Sequence, residues 1–307
     1  MSDQPEYAKG VKGEIDQRPK RFYKDVAVAR EGDAWRLTLD GKAMRTPNGT
    51  PLTLATEALA AVIADEWRAQ QERIDIQSMF NTRLSYVAVD RAPVARDELA
   101  AEAAKYAETD LVCHLAAGPA SLRAMQETGW TPARHWAAEE MGVRLVAVEG
   151  IIPALQPKES LEAARRHAEA LDTFRLAGLV HGIALFGSAV LGLAVERGRM
   201  TAAEAYELSR IDEAFQASKW GEDSEAVRRT ERARAEARAL DKWFGALAAA
   251  AQLARFGPRR RAPGARRAHR CPSPRTRRAR ALDRGPRPRP VRTAEGTQSA
   301  GRGLSPS

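Results

Sequence analysis

Cysteine and histidine are scarce in this 307-residue chain, which has two cysteines, Cys113 and Cys271, and five histidines. Two cysteines supply neither a disulfide framework nor a paired-thiolate metal spacing, which suits a reducing compartment. Cys113 beside His114 does not make a reactive pair, because adjacent residues on a helix point in different directions; a packed thiol is expected. His181, set in an apolar run, reads as a hydrogen-bonded core residue. The chain also lacks a glycine-rich phosphate loop, an HExxH pair and a nucleophile elbow. The signatures of phosphoryl transfer, zinc hydrolysis and serine hydrolysis are therefore missing. No catalytic residue, metal site or cofactor is assigned.

Acidic charge is sparse at one end only. From Arg255 onward there are 16 arginines, no lysine and two acids, Asp283 and Glu295, a balance of +14 within a whole-chain charge of +9. Residues 1–254 carry the remainder, −5. A basic field over the whole protein, as nucleic-acid binding requires, is not supported. The same tail holds 8 of the 17 prolines and few apolar residues. It cannot bury enough surface to offset its ordering entropy, so residues 254–307 are expected to be disordered. Its Arg/Pro/Ala/Gly/Ser vocabulary matches GC-rich DNA read out of frame, a reading preferred over a nucleic-acid-binding arm. Residues 1–20 are expected to be flexible; with no apolar segment and four acids they form neither a secretory signal nor a mitochondrial transit peptide. The bacterial cytoplasm is the expected location.

Between these ends the hydrophobic period changes twice. Trp35, Leu37 and Leu39 alternate with Arg36, Thr38 and Asp40, which predicts a strand, and Asp40-Gly41 predicts a two-residue hairpin turn. From Thr56 the period is helical, with Leu59, Val62, Ile63 and Trp67 on one stripe. After Pro93 the pattern predicts helices over 95–116, 119–141, 159–196, 202–218 and 222–251, with a short strand over 144–148. The expected fold is α+β: a small strand-rich α+β domain over 21–92, then a mainly α-helical domain over 93–253. Residues 176–195 are uncharged and long enough for a bilayer, and Gly178 and Gly182 form a GxxxG. His181, Ser188 and the many small residues favour a helix buried within a bundle, with no stable membrane insertion.

The most informative stretch is 209–226, SRIDEAFQASKWGEDSEA. Ile211 and Phe215, four apart, share a helix face. Trp220-Gly221 interrupts the helix, and Glu222-Asp223 restarts one with acids in its first turn, where the helix dipole favours them. An aromatic ring among Asp212, Glu213, Gln216, Glu222, Asp223 and Glu225 is suited to gripping a basic partner segment. The competing readings are a solvated helix start around a core tryptophan, and a divalent-cation site on the same carboxylates. The cation site requires converging oxygens, which this spacing does not enforce. Trp67 stands in EWRAQ as either a core aromatic joining helix to strands or a second contact residue.

Eight pieces in fixed order carry a family resemblance: RFYKDVAV (21–28), LDGKAMRTP (39–47), EWRAQ (66–70), TRLSYVAVDR (82–91), YAETDLVCH (106–114), GIIPALQP (150–157), LFGSAVLGLAV (185–195) and DEAFQASKWGEDSEA (212–226). Together they resemble the assembly chaperones of the F-type ATP synthase that bind its alpha subunit. Phe80-Asn81 departs from the family's Pro-Leu before TRL, and Leu115 stands where a Tyr-Arg pair is expected. The resemblance implies a monomeric, non-enzymatic chaperone that protects an unassembled alpha subunit from aggregation. It places partner contacts at Trp220, Glu222, Asp223 and Glu225, with Asp212, Glu213, Gln216 and Trp67 in support. The runner-up is a small metal-dependent enzyme using Asp212, Glu213, Glu222, Asp223 and Glu225.

Overall fold

The structure, a computed structural model, describes residues 17–221 and 223–256. The tail expected to be disordered lies outside the described residues from 257 onward, as do residues 1–16 of the N-terminus.

Turn chemistry and alternation build the strand platform. β1 (Val26–Glu31) and β2 (Ala34–Leu39) pair antiparallel, from Val26 opposite Leu39 to Glu31 opposite Ala34. β2 returns as β3 (Lys42–Ala43) through Asp40 and Gly41, whose φ values of 48° and 76° are those a two-residue Asp-Gly turn demands. β4 (Thr53–Leu54) pairs with the start of β2, Trp35 opposite Leu54.

α1 (Glu57–Arg68) starts at Thr56, whose hydroxyl accepts the Leu59 N–H at 2.9 Å. Its apolar stripe of Leu59, Ile63 and Trp67 is buried, with Val62 at the margin. The Tyr23 ring meets Trp67 edge-on at 5.5 Å, and the Tyr23 hydroxyl donates to the Trp67 carbonyl at 2.7 Å. This seats the end of α1 beside the strands.

The rest is helical: α2 (Phe80–Tyr86), running into a π-helical turn over Val87–Arg91, α3 (Arg96–Glu108), α4 (Ala120–Glu140), α5 (Lys158–Ala170), α6 (Thr173–Phe186), α7 (Ala189–Glu196), α8 (Ala202–Ser209), α9 (Ile211–Trp220) and α10 (Ser224–Phe256). Two short parallel strands, β5 (His114–Leu115) and β6 (Val148–Glu149), interrupt the series. The α+β class expected from the sequence is the class observed.

Several boundaries differ from expectation, each for a local reason. The helix expected over 95–116 stops at Glu108, because Asp110 accepts the Val112 and Val190 N–H groups and fixes a tight turn before β5. The strand expected over 144–148 is confined to Val148–Glu149. The single helix expected over 159–196 is three helices. Asp172 starts α6 by accepting the Phe174 and Arg175 N–H groups, both at 2.9 Å. Gly187, at φ 64°, ends it, and Ser188 caps α7 through the Leu191 N–H. Residues 202–218 likewise divide at Arg210 into α8 and α9, with α9 reaching Trp220.

One contiguous core runs from Tyr23 to Leu247. α10 has 33 residues, a rod of about 50 Å, and it packs against α1, α2, α6 and α8. Thr56 donates to the Ala246 carbonyl of α10 at 3.0 Å, so the last helix is tied to the strand-rich part. The division of the chain near residue 92 stands as a proposal about folding units, since the core crosses it. A Cβ at Gly178 would come within 2.8 Å of the Trp243 and Phe244 rings; the first glycine of the GxxxG pair thus admits the aromatics of α10. Among the described residues no helix is long and apolar enough to cross a membrane.

Candidate partner-binding surface

The junction of α9 and α10, the elbow, follows Trp220. The Gly221 N–H closes α9 on the Ala217 carbonyl at 2.8 Å, and its φ of 80° is one that favours glycine. Trp220, the last residue of α9, is 80% exposed. The Asp223 carboxylate caps α10, accepting the Glu225 and Ala226 N–H groups at 2.8 Å each. Those two bonds, from Ala226 and Glu225, hold its pKa below the usual carboxylate range, so Asp223 stays charged. The expectation that Asp223 lies in the first helical turn is therefore corrected: α10 begins at Ser224, and Asp223 is its cap. Glu225 is exposed. Glu222 lies outside the described residues.

Along α9 the expected contact residues separate into two groups. Ile211 is buried against α4, where Gly129 admits it: a Cβ there would lie 2.9 Å from Ile211 Cδ1. Asp212 accepts from Gln126 Nε2 at 2.6 Å and is committed to holding α9 on α4. Glu213 and Gln216 face solvent, Glu213 paired with Arg210 at 2.6 Å. Phe215 is half-buried, with Lys219 Nζ 5.5 Å from its ring centroid. Trp67 is 5% exposed. Its place among the contact residues is corrected by its burial against Tyr23, because a ring that closed to solvent offers no area to a partner.

Among the described residues, the carboxylates named in the runner-up reading do not gather into one cluster. Asp212 is bonded to Gln126, Glu213 to Arg210, and Asp223 to the helix backbone. Among the described residues no group of three or more His, Cys, Asp or Glu could hold a metal ion. Cys113 is a buried free thiol whose pKa is pushed up to about 12 by burial and by the neighbouring Asp110; the packed thiol expected from sequence is what the structure contains.

Two features escaped the sequence reading. Glu66, in EWRAQ, turns inward and caps α2, accepting the Asn81 N–H, the Thr82 N–H and the Thr82 hydroxyl, all at 2.7 Å. Burial raises its pKa against the opposing pull of those bonds. The loop after β6 exposes Ile151, Ile152 and Leu155 to 92%, 81% and 98%. The available signal was eight uncharged residues between Glu149 and Lys158 with neither helical nor alternating period. Such an exposed aliphatic group is informative where a single exposed leucine is not.

A small strand platform joined to a helical body carries an exposed tryptophan at the end of α9 and exposed carboxylates near it. Residues 20–138 match the family model described as ATP12 chaperone protein. The crystal structure of Atp12 from Paracoccus denitrificans is 40% identical, covering 74% of this chain and 97% of that one, with a TM-score of 0.69. The Atu1473 protein of Agrobacterium tumefaciens is 36% identical over 75% of this chain and 86% of its own, with a TM-score of 0.70. Protein atp12, mitochondrial, of Schizosaccharomyces pombe is 24% identical across 66% of this chain and 74% of that protein. The chain belongs to the ATP12 chaperone family.

Proposed function

We propose that this chain is a non-enzymatic assembly chaperone of the F-type ATP synthase, acting in the bacterial cytoplasm as a monomer, and that its client is the unassembled alpha subunit. The observation that carries the reading is the elbow: Trp220, 80% exposed, between the exposed carboxylates of Glu213 on α9, of Asp223 capping α10 and of Glu225 in its first turn. A tryptophan on a rigid helix end offers large contact area at small entropic cost, and fixed negative charges around it steer a basic segment of the client into register. The alpha subunit, before it meets its neighbours, has an apolar subunit face that would otherwise pair wrongly. A chaperone that covers this face and then leaves needs a contact that is partly polar and transient.

The test is charge reversal with a control for the cap. Reversing Glu222, Asp223 and Glu225 to lysine removes the Asp223 cap and costs about 1 kcal/mol of stability, while protection of purified alpha subunit from aggregation should fall about tenfold or more. Asp223→Asn keeps a capping oxygen and removes one charge; it should melt like the parent protein and still lose part of the protection. A folded triple variant that protects the alpha subunit as well as the parent would reject the elbow as the contact.

A further inference from the structure

We infer that the loop Gly150–Gln156 is a second, apolar anchor for the same client, placing Ile151, Ile152 and Leu155 into an apolar groove on the subunit-contact face of the alpha subunit. This inference rests on the chaperone reading above and names what the acidic elbow alone lacks, a contact for the apolar part of the client.

Three observations carry it. The loop is the largest cluster of exposed aliphatic side chains among the described residues, with Ile151, Ile152 and Leu155 almost wholly in water. Burying three such side chains on a partner removes a substantial apolar area from water. The loop is also fixed at both ends. The Gly150 N–H donates to the Leu115 carbonyl at 2.8 Å, and the Gly150 carbonyl lies 3.2 Å from His114 Nδ1. At the other end the buried Gln156 amide both accepts the Val146 N–H at 2.8 Å and donates to the Val146 carbonyl at 3.0 Å. A loop clamped in this way presents its side chains without a large ordering cost on binding.

The third observation is continuity with the elbow. One turn of α4 ties both surfaces down: Arg123 bonds Glu149, at the loop's base, at 3.0 Å, and Gln126 bonds Asp212, at the start of α9, at 2.6 Å. Met125, 45% exposed, lies on that turn. Trp220 is eight residues beyond Asp212 in the same helix, about 12 Å along its axis. Loop base and α9 are therefore both bonded to the same turn of α4, which makes the loop continuous with the surface that carries the elbow. The segment carries no charge from Gly150 to Pro157, so its complement is apolar, whereas the complement of the elbow is basic.

The experiment measures binding of the full-length chain to purified alpha subunit at low and high salt. Three variants are compared: Ile151→Ser/Ile152→Ser/Leu155→Ser, the apolar control Ile151→Leu/Ile152→Leu/Leu155→Met, and Val94→Ser, which removes an aliphatic side chain 84% exposed elsewhere. All should melt like the parent, since none touches the core. The serine variant should lose about tenfold or more in affinity, by a factor that is the same at both salt concentrations. The apolar control and Val94→Ser should bind like the parent. By contrast, the loss caused by reversing the elbow charges should shrink at high salt. Parent-like binding by the serine variant overturns the anchor and leaves the chaperone reading standing; failure of the parent itself to bind the alpha subunit overturns both. Sedimentation with anionic phospholipid vesicles is the remaining arm. Vesicle binding that the serine variant loses, with alpha-subunit binding unchanged, assigns the loop to a membrane surface and overturns the inference.

Discussion

Glu196 shows how much one side chain can hold together. Its carboxylate, with side-chain exposure of 1%, takes His167 Nε2 at 2.7 Å and Arg175 at 2.6 Å, joining α5, α6 and α7 at a single point. Burial by itself would raise its pKa, but the His167 and Arg175 bonds and charges outweigh that and hold it below the usual glutamate range. A group whose folded pKa is depressed stabilises the fold above its unfolded pKa of about 4.3 and loses that contribution as pH falls through the folded value. Glu196→Gln should therefore cost about 3 kcal/mol at neutral pH, by leaving Arg175 without its counter-charge. Thermal melting of parent and variant from pH 7 downward checks it, and the gap between them should begin to narrow as pH falls past the unfolded value and close once pH is below the depressed folded one. At the same scale, Asp212 and Asp223 have the same chemistry in the sequence and different tasks in the fold. Asp212 holds α9 on α4, and Asp223 caps α10 while facing solvent. Only the positions of Gln126 and of the α10 backbone separate the two.

Among the elements, α6 and α7 decide what the long uncharged run means. Gly187 sits at φ 64° with nothing within 4 Å of where a Cβ would be, whereas Gly178 faces Trp243 and Phe244 at 2.8 Å. Two glycines nine positions apart thus serve different physical ends, a left-handed helix stop and a close helix approach. Gly187→Ala should cost about 1–2 kcal/mol, the strain of an L residue in the left-handed region. Gly178→Val should cost about 1–3 kcal/mol through overpacking against α10. The two are told apart by urea unfolding combined with tryptophan fluorescence, because only Gly178→Val, which crowds Trp243, should shift the emission of the native state. The uncharged length and the GxxxG pair were legible in sequence, and so was the preference for burial. The breaks at Asp172 and Gly187 were not, because a hydrophobic period continues across a capped break as readily as along an unbroken helix. The elbow was legible for the opposite reason: Trp220-Gly221 interrupts both period and polarity. Loop 150–155 was seen as part of a family piece, but its exposure depends on β5, β6 and α4 leaving it uncovered, which no local pattern encodes.

For the molecule as a whole, α10 is the unifying piece. It lies along the strand-linked α1 and along α6 and α8, so the strand-rich and helical parts share one core. The chain should accordingly unfold in a single transition, with far-ultraviolet circular dichroism and Trp fluorescence melting together. Two separated transitions would mean that residues 21–92 fold as a unit of their own. Because residues 176–195 are mostly buried in the shared core, the protein should be recovered in aqueous buffer without detergent. Light scattering should then give the mass of one chain, rising to a one-to-one complex when alpha subunit is added.

By itself the sequence determined the α+β class, the Asp40-Gly41 hairpin, the buried stripe of α1, the packed Cys113 and the family. The first four follow from short-range rules, in which backbone dihedrals, side-chain period and turn residues act over a few positions; the family rests on the resemblance of eight pieces in fixed order. Tertiary structure alone decided that Trp67 is core and Trp220 is surface, that Asp212 is committed while Glu213 is free of the core, and that three aliphatic side chains stand in water. Burial is a property of what the rest of the chain places against a residue. For these positions, the elements that cover or leave them are Tyr23 for Trp67, α4 for Asp212, and the absence of any described neighbour over Ile151, Ile152 and Leu155.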